Sequence, residues 1–201
     1  MIHSQDRSGW VGASDTYALL ASWDSKTFAS FLGEKLGLVE KRVKTQAMDA
    51  GTHWEGKILD ALGIRKRDRQ IKVRRLRLRV NLDGEDKTTV TEVKTHQSEE
   101  FDLCKRYWMQ AQVEMYVTGK RLRVAAYRLT GDELSNYYLP LDPERVSFHD
   151  VDYDPAWIED EYLPRLRVVA SCIKERRWPN EGEVARFTRK RRKAASHGGD
   201  P

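Results

Sequence analysis

The sequence predicts a mixed α/β fold, a central sheet with helices on its faces. Three observations predict it. Apolar residues recur at steps of three and four across residues 43–62. Alternating, β-branched stretches follow at 71–80 and 88–95. Helical spacing then returns between Glu99 and Thr118 and again after Pro155. A chain of 201 residues is long enough for one domain with a full core. We take that domain as residues 1–185 and residues 186–201 as a basic, flexible tail.

Ser14 or Asp15 can cap a short helix reaching Ser22. A second helix is predicted from Lys26 to Leu36, stopping at Gly37. The third carries Val43, Ala47, Ala50, Trp54, Ile58, Ala61 and Leu62 on one stripe and ends at Gly63. From Ile71 to Val80 the alternation changes phase at Arg74-Arg75, which predicts a bulge or a tight bend. Asn81 to Asp86 has turn composition. Thr88 to Thr95 is predicted as a strand with Val90, Glu92 and Lys94 on one face. The helix from Glu99 to Thr118 buries Phe101, Cys104, Trp108, Ala111 and Met115, sets Tyr107, Gln110 and Glu114 on an adjacent face, and stops at Gly119. Arg121–Leu129 and Leu134–Leu141 read as a hairpin around Thr130-Gly131-Asp132. A last helix runs from Pro155 to about Arg177, where Trp178-Pro179-Asn180 breaks it.

Composition narrows the function classes. Hydrophobic residues are 39% and charged residues 33%, as in a soluble, highly charged protein. The net charge of +5 is compatible with a polyanionic partner but does not require one. Two cysteines, Cys104 and Cys172, cannot complete a four-thiolate zinc or iron–sulfur site. The five histidines lack metal-ligand spacing, and no glycine-rich triphosphate loop is present. No signal-peptide pattern opens the chain, and no apolar run approaches the ~20 residues that span a membrane. The expected location is the cytoplasm of a bacterium or of a phage-infected host cell.

The chemistry concentrates where Asp83-Gly84 precedes Glu92-Val93-Lys94 across a strand-forming run. An acidic residue two before a lysine occurs four times, beginning at Asp24, Glu55, Glu85 and Glu92. Only Glu92 and Lys94 lie in a strand-like segment following an Asp-Gly pair. One reading is a solvated ion pair on an edge strand. The other is a metal site: Asp83 and Glu92 offer hard oxygen ligands to Mg²⁺ or Mn²⁺, and Lys94 can hold water or steady phosphate oxygens. Glu55 could complete the ligand shell or be an exposed charge beside Trp54. Glu85 and Asp86 compete with Asp83 for the metal, and Asp83 is preferred because it immediately precedes the glycine.

The chain resembles the PD-(D/E)xK nucleases of the phage lambda exonuclease and YqaJ-like viral recombinase group. Four segments carry the resemblance, over roughly residues 7–119. Arg7-Ser8-Gly9-Trp10-Val11-Gly12-Ala13-Ser14 is similar to that group's arginine-glycine-x-x-x-alanine-serine opening. Gly51-Thr52-His53-Trp54-Glu55 is similar to its helical glycine-x-x-x-glutamate. Asp83-Gly84 with Glu92-Val93-Lys94 corresponds to its aspartate and E-x-K pair. Tyr107-Trp108-Met109-Gln110-Ala111-Gln112, with Val117-Thr118-Gly119, resembles its tyrosine-x-x-glutamine-x-glutamine helix. Leu82 stands where the family name has proline, and the region after Gly119 matches less well.

The resemblance implies a restriction-endonuclease-like core and assigns roles. Asp83, Glu92, Glu55 and Val93 would hold Mg²⁺ or Mn²⁺. Lys94, Glu92, Asp83 and Gln110 would be catalytic, Gln110 contacting the attacking water or a phosphate. Arg7 and Ser14 would pocket a terminal 5′-phosphate, with Tyr107 and Gln112 also on substrate. It implies 5′→3′ exonuclease activity on double-stranded DNA ends in phage-type recombination, a single-strand annealing partner, and a homo-oligomer. An endonuclease or nickase on the same core, or a non-catalytic DNA-binding module, are the alternatives. Nine of the fifteen residues 65–79 are Lys or Arg; some would face a phosphate backbone, and others would keep an edge strand soluble. Trp10 can stack on a base or simply pack. The run Arg186 to Lys193 adds six basic residues in eight.

Overall fold

Six strands form one mixed sheet. They are β1 (Val11–Gly12), β2 (Lys66–Val73), β3 (Leu78–Glu85), β4 (Thr89–His96), β5 (Arg121–Arg128) and β6 (Val146–Val151). The structure, a computed structural model, describes residues 8–39 and 45–187. β2 runs antiparallel along one edge of β3. The other edge of β3 is shared. Its start pairs in parallel with β1, at Leu78 and Arg79. Its end pairs antiparallel with β4, only at Gly84↔Thr91 and Glu85↔Val90. Beyond those two pairs β3 and β4 diverge, leaving a fork at residues 80–83. β4 then runs parallel to β5 over its whole length, and β6 closes that side antiparallel to β5.

The helices are α1 (Thr16–Leu19), α2 (Lys26–Lys35), α3 (Gln46–Ala61), α4 (Lys105–Thr118), α5 (Pro155–Trp157) and α6 (Leu163–Glu175). A π-helical segment, Ile158–Tyr162, joins the last two into one helical run, so the predicted long C-terminal helix is present. Ser25 and Thr45 cap α2 and α3 through their hydroxyls. Gly63 and Gly119 follow α3 and α4 with positive φ, as the predicted stops require. The larger apolar cluster joins Leu78, Val80, Val90, Leu122 and Val124 of the sheet to α2, α4 and α6. A second joins Val93, Ala125 and Tyr127 to Ala50, Trp54 and Ile58 of α3. Helices therefore cover both faces of the sheet. No helix among the described residues is long and apolar enough to cross a membrane.

Several elements differ from the sequence expectation. The phase slip at Arg74-Arg75 is a full reversal: a 3-10 turn, Arg74–Leu76, with Arg77 left-handed at φ 49°, joins β2 to β3 as a hairpin. Asn81 to Glu85 is not a turn but the second half of β3, held by β2; the turn lies beyond it, where Asp86 accepts the Thr88 and Thr89 N–H groups. α4 begins at Lys105, not Glu99, because Cys104 is extended and Phe101 packs among the rings of His96, Tyr107 and His149. Leu134–Leu141 is a packed loop rather than a strand, and β5 pairs with β6 instead. Lys57 donates to the Tyr137 and Leu139 carbonyls, at 2.6 Å each, so that loop finds backbone partners without joining a ladder. Ser14 lies inside a 3-10 turn and caps nothing. Val43 and residues 188–201 lie outside the described residues.

Candidate active site

One side-chain hydrogen bond spans the point where β3 and β4 diverge. Asp83 Oδ2 accepts the Val93 N–H at 2.8 Å, a role a β3 backbone carbonyl would otherwise take. The carboxylate therefore sits in the mouth of the fork. Across it, Glu92 and Lys94 project from the same side of β4. Lys94 Nζ is 2.5 Å from Glu92 Oε1. Gln110 of α4 reaches the same oxygen with its amide nitrogen at 2.5 Å. That nitrogen also donates to Glu114 Oε1, one helical turn further, at 2.9 Å.

α3 brings Glu55 to the opposite wall. Trp54 anchors that helix, packing its ring 5.5 Å from Tyr127 and donating to the Glu133 carbonyl at 2.9 Å. Close approach of α3 to the sheet requires Gly84, where a Cβ would lie 2.8 Å from both Leu59 and Ile64. The resulting cleft, about 520 Å³, is lined by Glu55, Asp83, Glu92, Lys94, Gln110 and Glu114. It continues past Asp68, Asn81 and Arg79 to Trp10, Ser14 and Lys35.

Carboxylates crowd this cleft. Burial, then the charges of Glu92 and Glu55, hold Asp83 well above the ordinary carboxyl range. Burial, then Glu92 and Asp68, push Glu55 up to about 7. Glu114 is raised by burial and by Glu92. Burial alone would lower Lys94, but Glu92 and Asp83 outweigh it and hold it above the usual lysine value. Glu92 Oε2 and Glu114 Oε2 are buried with no hydrogen-bond partner. Such an excess of hard, underused oxygen suits a divalent cation. As placed, no three His, Cys, Asp or Glu groups among the described residues already converge as ligands.

The three neighbouring carboxylates differ in their partners. Glu85 is paired with Lys66 at 2.7 Å, Arg69 at 2.5 Å and Lys120 at 2.6 Å. Asp86 is occupied by its turn. Neither lines the cleft, whereas Asp83 does.

The other sequence candidates divide. Ser14 lies on the far wall of the cleft. Arg7 lies outside the described residues. The Val93 side chain is buried in the α3-side core, so it brings only main-chain atoms. Tyr107 holds its ring over Lys94, 5.1 Å from Nζ, and stacks on Phe101. Gln112 does not line the cleft, contrary to its expected place on substrate. It is fully buried, donating to the Asp152 carbonyl and accepting the Asp154 N–H, each at 2.7 Å, and it ties α4 to the loop before α5. Trp10 lines the cleft with Lys72 and Arg77 over its ring, at 5.6 and 6.0 Å.

The sequence placed Glu114 on the Gln110 face without a role, counted Arg79 only within a basic run, and did not single out Asp68, yet all three line the cleft. Glu114 carried a signal: a carboxylate between Val113 and Met115, one turn after Gln110. Asp68 is the lone acid in a basic run and adopts a left-handed φ of 53° within β2.

A mixed sheet with helices on both faces and carboxylates at a strand fork is a nuclease-like fold. The chain is similar in structure to an alkaline exonuclease from Laribacter hongkongensis, at 17% identity and a TM-score of 0.58, covering 94% of this chain and 96% of that one. A second solved structure, described as SSO0001, matches at 12% identity and a TM-score of 0.42, covering 90% and 80%. No family model matches the chain, and no curated protein matches it. At these identities the likeness to the exonuclease concerns the fold.

Proposed function

We propose that this protein is a metal-dependent DNA nuclease that degrades double-stranded DNA from its ends, 5′→3′. The observation that supports it is the β3–β4 fork, where Asp83, Glu92, Lys94 and Gln110 meet in one cleft with Glu55. The fold shared with an exonuclease supports the same reading. Asp83, Glu92 and Glu55, with the Val93 main chain, would hold Mg²⁺ or Mn²⁺. The bound ion supplies Lewis acidity, lowering the pKa of water and neutralising phosphate charge.

The chain's own groups then have distinct tasks. Lys94, with its Nζ on Glu92, would donate to the attacking water or to a phosphate oxygen. Tyr107 over its ammonium limits where Lys94 can swing. Gln110 would contact the reacting water. Ser14, with Arg7, would receive the terminal 5′-phosphate. Arg79 adds a cation to the same cleft. A single-strand annealing partner and a homo-oligomer enclosing DNA extend this reading from the family resemblance.

The test is a gel of linear and circular duplex DNA, each with Mg²⁺ or with chelator. Linear DNA should disappear only with Mg²⁺, and faster with 5′-phosphate than with 5′-hydroxyl ends; circles should survive. Asp83→Asn should abolish cleavage yet fold, since an amide oxygen still accepts the Val93 N–H. Cut circles would make the protein an endonuclease. Retardation without cleavage in every metal would make it a binding module.

A further inference from the structure

We infer that Glu114 is a positioning residue that fixes the orientation of the Gln110 amide in the cleft. Glu114 is fully buried and lines the cleft behind Gln110. Gln110 Nε2 donates to two carboxylates at once, Glu92 at 2.5 Å and Glu114 at 2.9 Å. A side-chain amide has two N–H donors on one nitrogen and a carbonyl oxygen on the other arm. Glu92 already accepts the Lys94 ammonium, so its oxygen calls for a donor, and the Gln110 atom facing it must be nitrogen. Glu114 then takes the second hydrogen. With both hydrogens engaged, the amide cannot flip, and Gln110 presents an acceptor, its carbonyl oxygen, to whatever enters the cleft. An acceptor there holds a proton of the attacking water; it repels a phosphate oxygen. Without Glu114, one bond remains and the amide rotates. Burying a carboxylate with one oxygen unpartnered is costly, and Glu114 Oε2 is so placed; a leucine of similar size would fill the space without that cost.

The inference rests on the nuclease reading for its kinetic arm only. In the metal-free protein, ¹⁵N–¹H spectra should show two inequivalent, exchange-protected Gln110 side-chain protons, assigned by their loss in Gln110→Ala. Glu114→Leu should deprotect the pair, and Glu114→Gln, whose amide oxygen still accepts, should restore the protection. In turnover, Glu114→Leu should lower kcat by about 10–100-fold, the range for removing an outer-shell orienting partner, with KM for DNA ends little changed. Glu114→Gln should recover most of that loss, which a metal ligand could not do. In a Gln110→Ala background, Glu114→Leu should cost almost nothing more. If Glu114→Leu leaves both protons protected, or its kinetic loss is unchanged in the Gln110→Ala background, the inference is wrong. A wild-type protein that cleaves nothing but shows the two protected protons would sink the nuclease reading and leave the amide clamp standing.

Discussion

At the residue scale, the cleft places function against stability. Glu55 titrates at about 7 in the folded protein against 4.5 in the open chain, so the folded state binds the proton more tightly. Stability from this group is full below pH 4.5 and is lost as pH rises to about 7. Asp83 and Glu114 shift in the same direction. Glu85 and Glu133 do the reverse. Burial would raise both, but Lys120, Lys66 and Arg69 around the first, and Arg145 with the Thr130 N–H around the second, lower each to about 2. Their contribution is full above pH 4.5 and lost as pH falls towards 2. The metal-free protein should therefore melt highest near pH ~5 and lose stability on both sides. Glu55→Gln should raise Tm at pH 7 without metal, flatten the decline between pH 4.5 and 7, and lower cleavage. Calorimetry over that range checks it; a wild-type Tm rising from pH 5 to 7 would contradict the picture of crowded carboxylates.

At the element scale, the site depends on how closely α3 approaches β3. Gly84 neighbours Asp83, and its missing side chain leaves room for Leu59 and Ile64. Both obstructing atoms are side-chain ends, so alanine can be accommodated by small shifts. A branched side chain cannot. Gly84→Val should destabilise by about 1–3 kcal/mol, the usual cost of overpacking. Because α3 carries Glu55, the same substitution should weaken the proposed metal-dependent cleavage beyond what lost stability explains. Urea unfolding combined with a turnover assay on the surviving folded fraction separates the two effects. A Gly84→Val protein as stable as wild type would show that α3 does not press on β3 at this point.

At the scale of the whole molecule, charge is distributed unevenly. The cleft is acidic, while the formal net charge is +5. Five basic residues, Arg189 to Lys193, fall in the C-terminal segment outside the described residues. A segment of this kind that neutralises phosphates confers no end preference but releases counterions. Truncation after Phe187 should lower DNA affinity mainly at low salt, reducing the slope of log affinity against log salt by about 0.9 for each phosphate no longer neutralised. The proposed preference for 5′-phosphorylated ends should not depend on this segment. Fluorescence anisotropy across a salt series measures both, and an unchanged slope would show that the tail neutralises no phosphate.

The local code was legible where neighbours in sequence are also neighbours in space. Periodicity located α3 and α4, and glycines marked the ends of α2, α3 and α4, because helix hydrogen bonds span only one turn. Glu92-Val93-Lys94 was legible because a strand alternates its faces by geometry alone. Asn81 to Glu85 was not. Asp, Asn and Gly signal a turn locally, and only pairing with β2, a segment brought alongside by the hairpin, makes them strand. Leu134–Leu141 alternates, yet Lys57 and the α3-side core hold it as a loop. What separates Asp83 from Glu85 is three cations arriving from other segments of the chain, and what separates it from Asp86 is a local turn. The burial of Gln112 was not legible, for the same reason: which face of α4 meets the sheet and which meets the loop before α5 is set by packing. The sequence by itself determined the helices, the alternation of the E-x-K strand and the kind of chemistry its side chains can support. The tertiary structure decided which carboxylates meet, because their approach depends on segments far apart in the chain closing on one another.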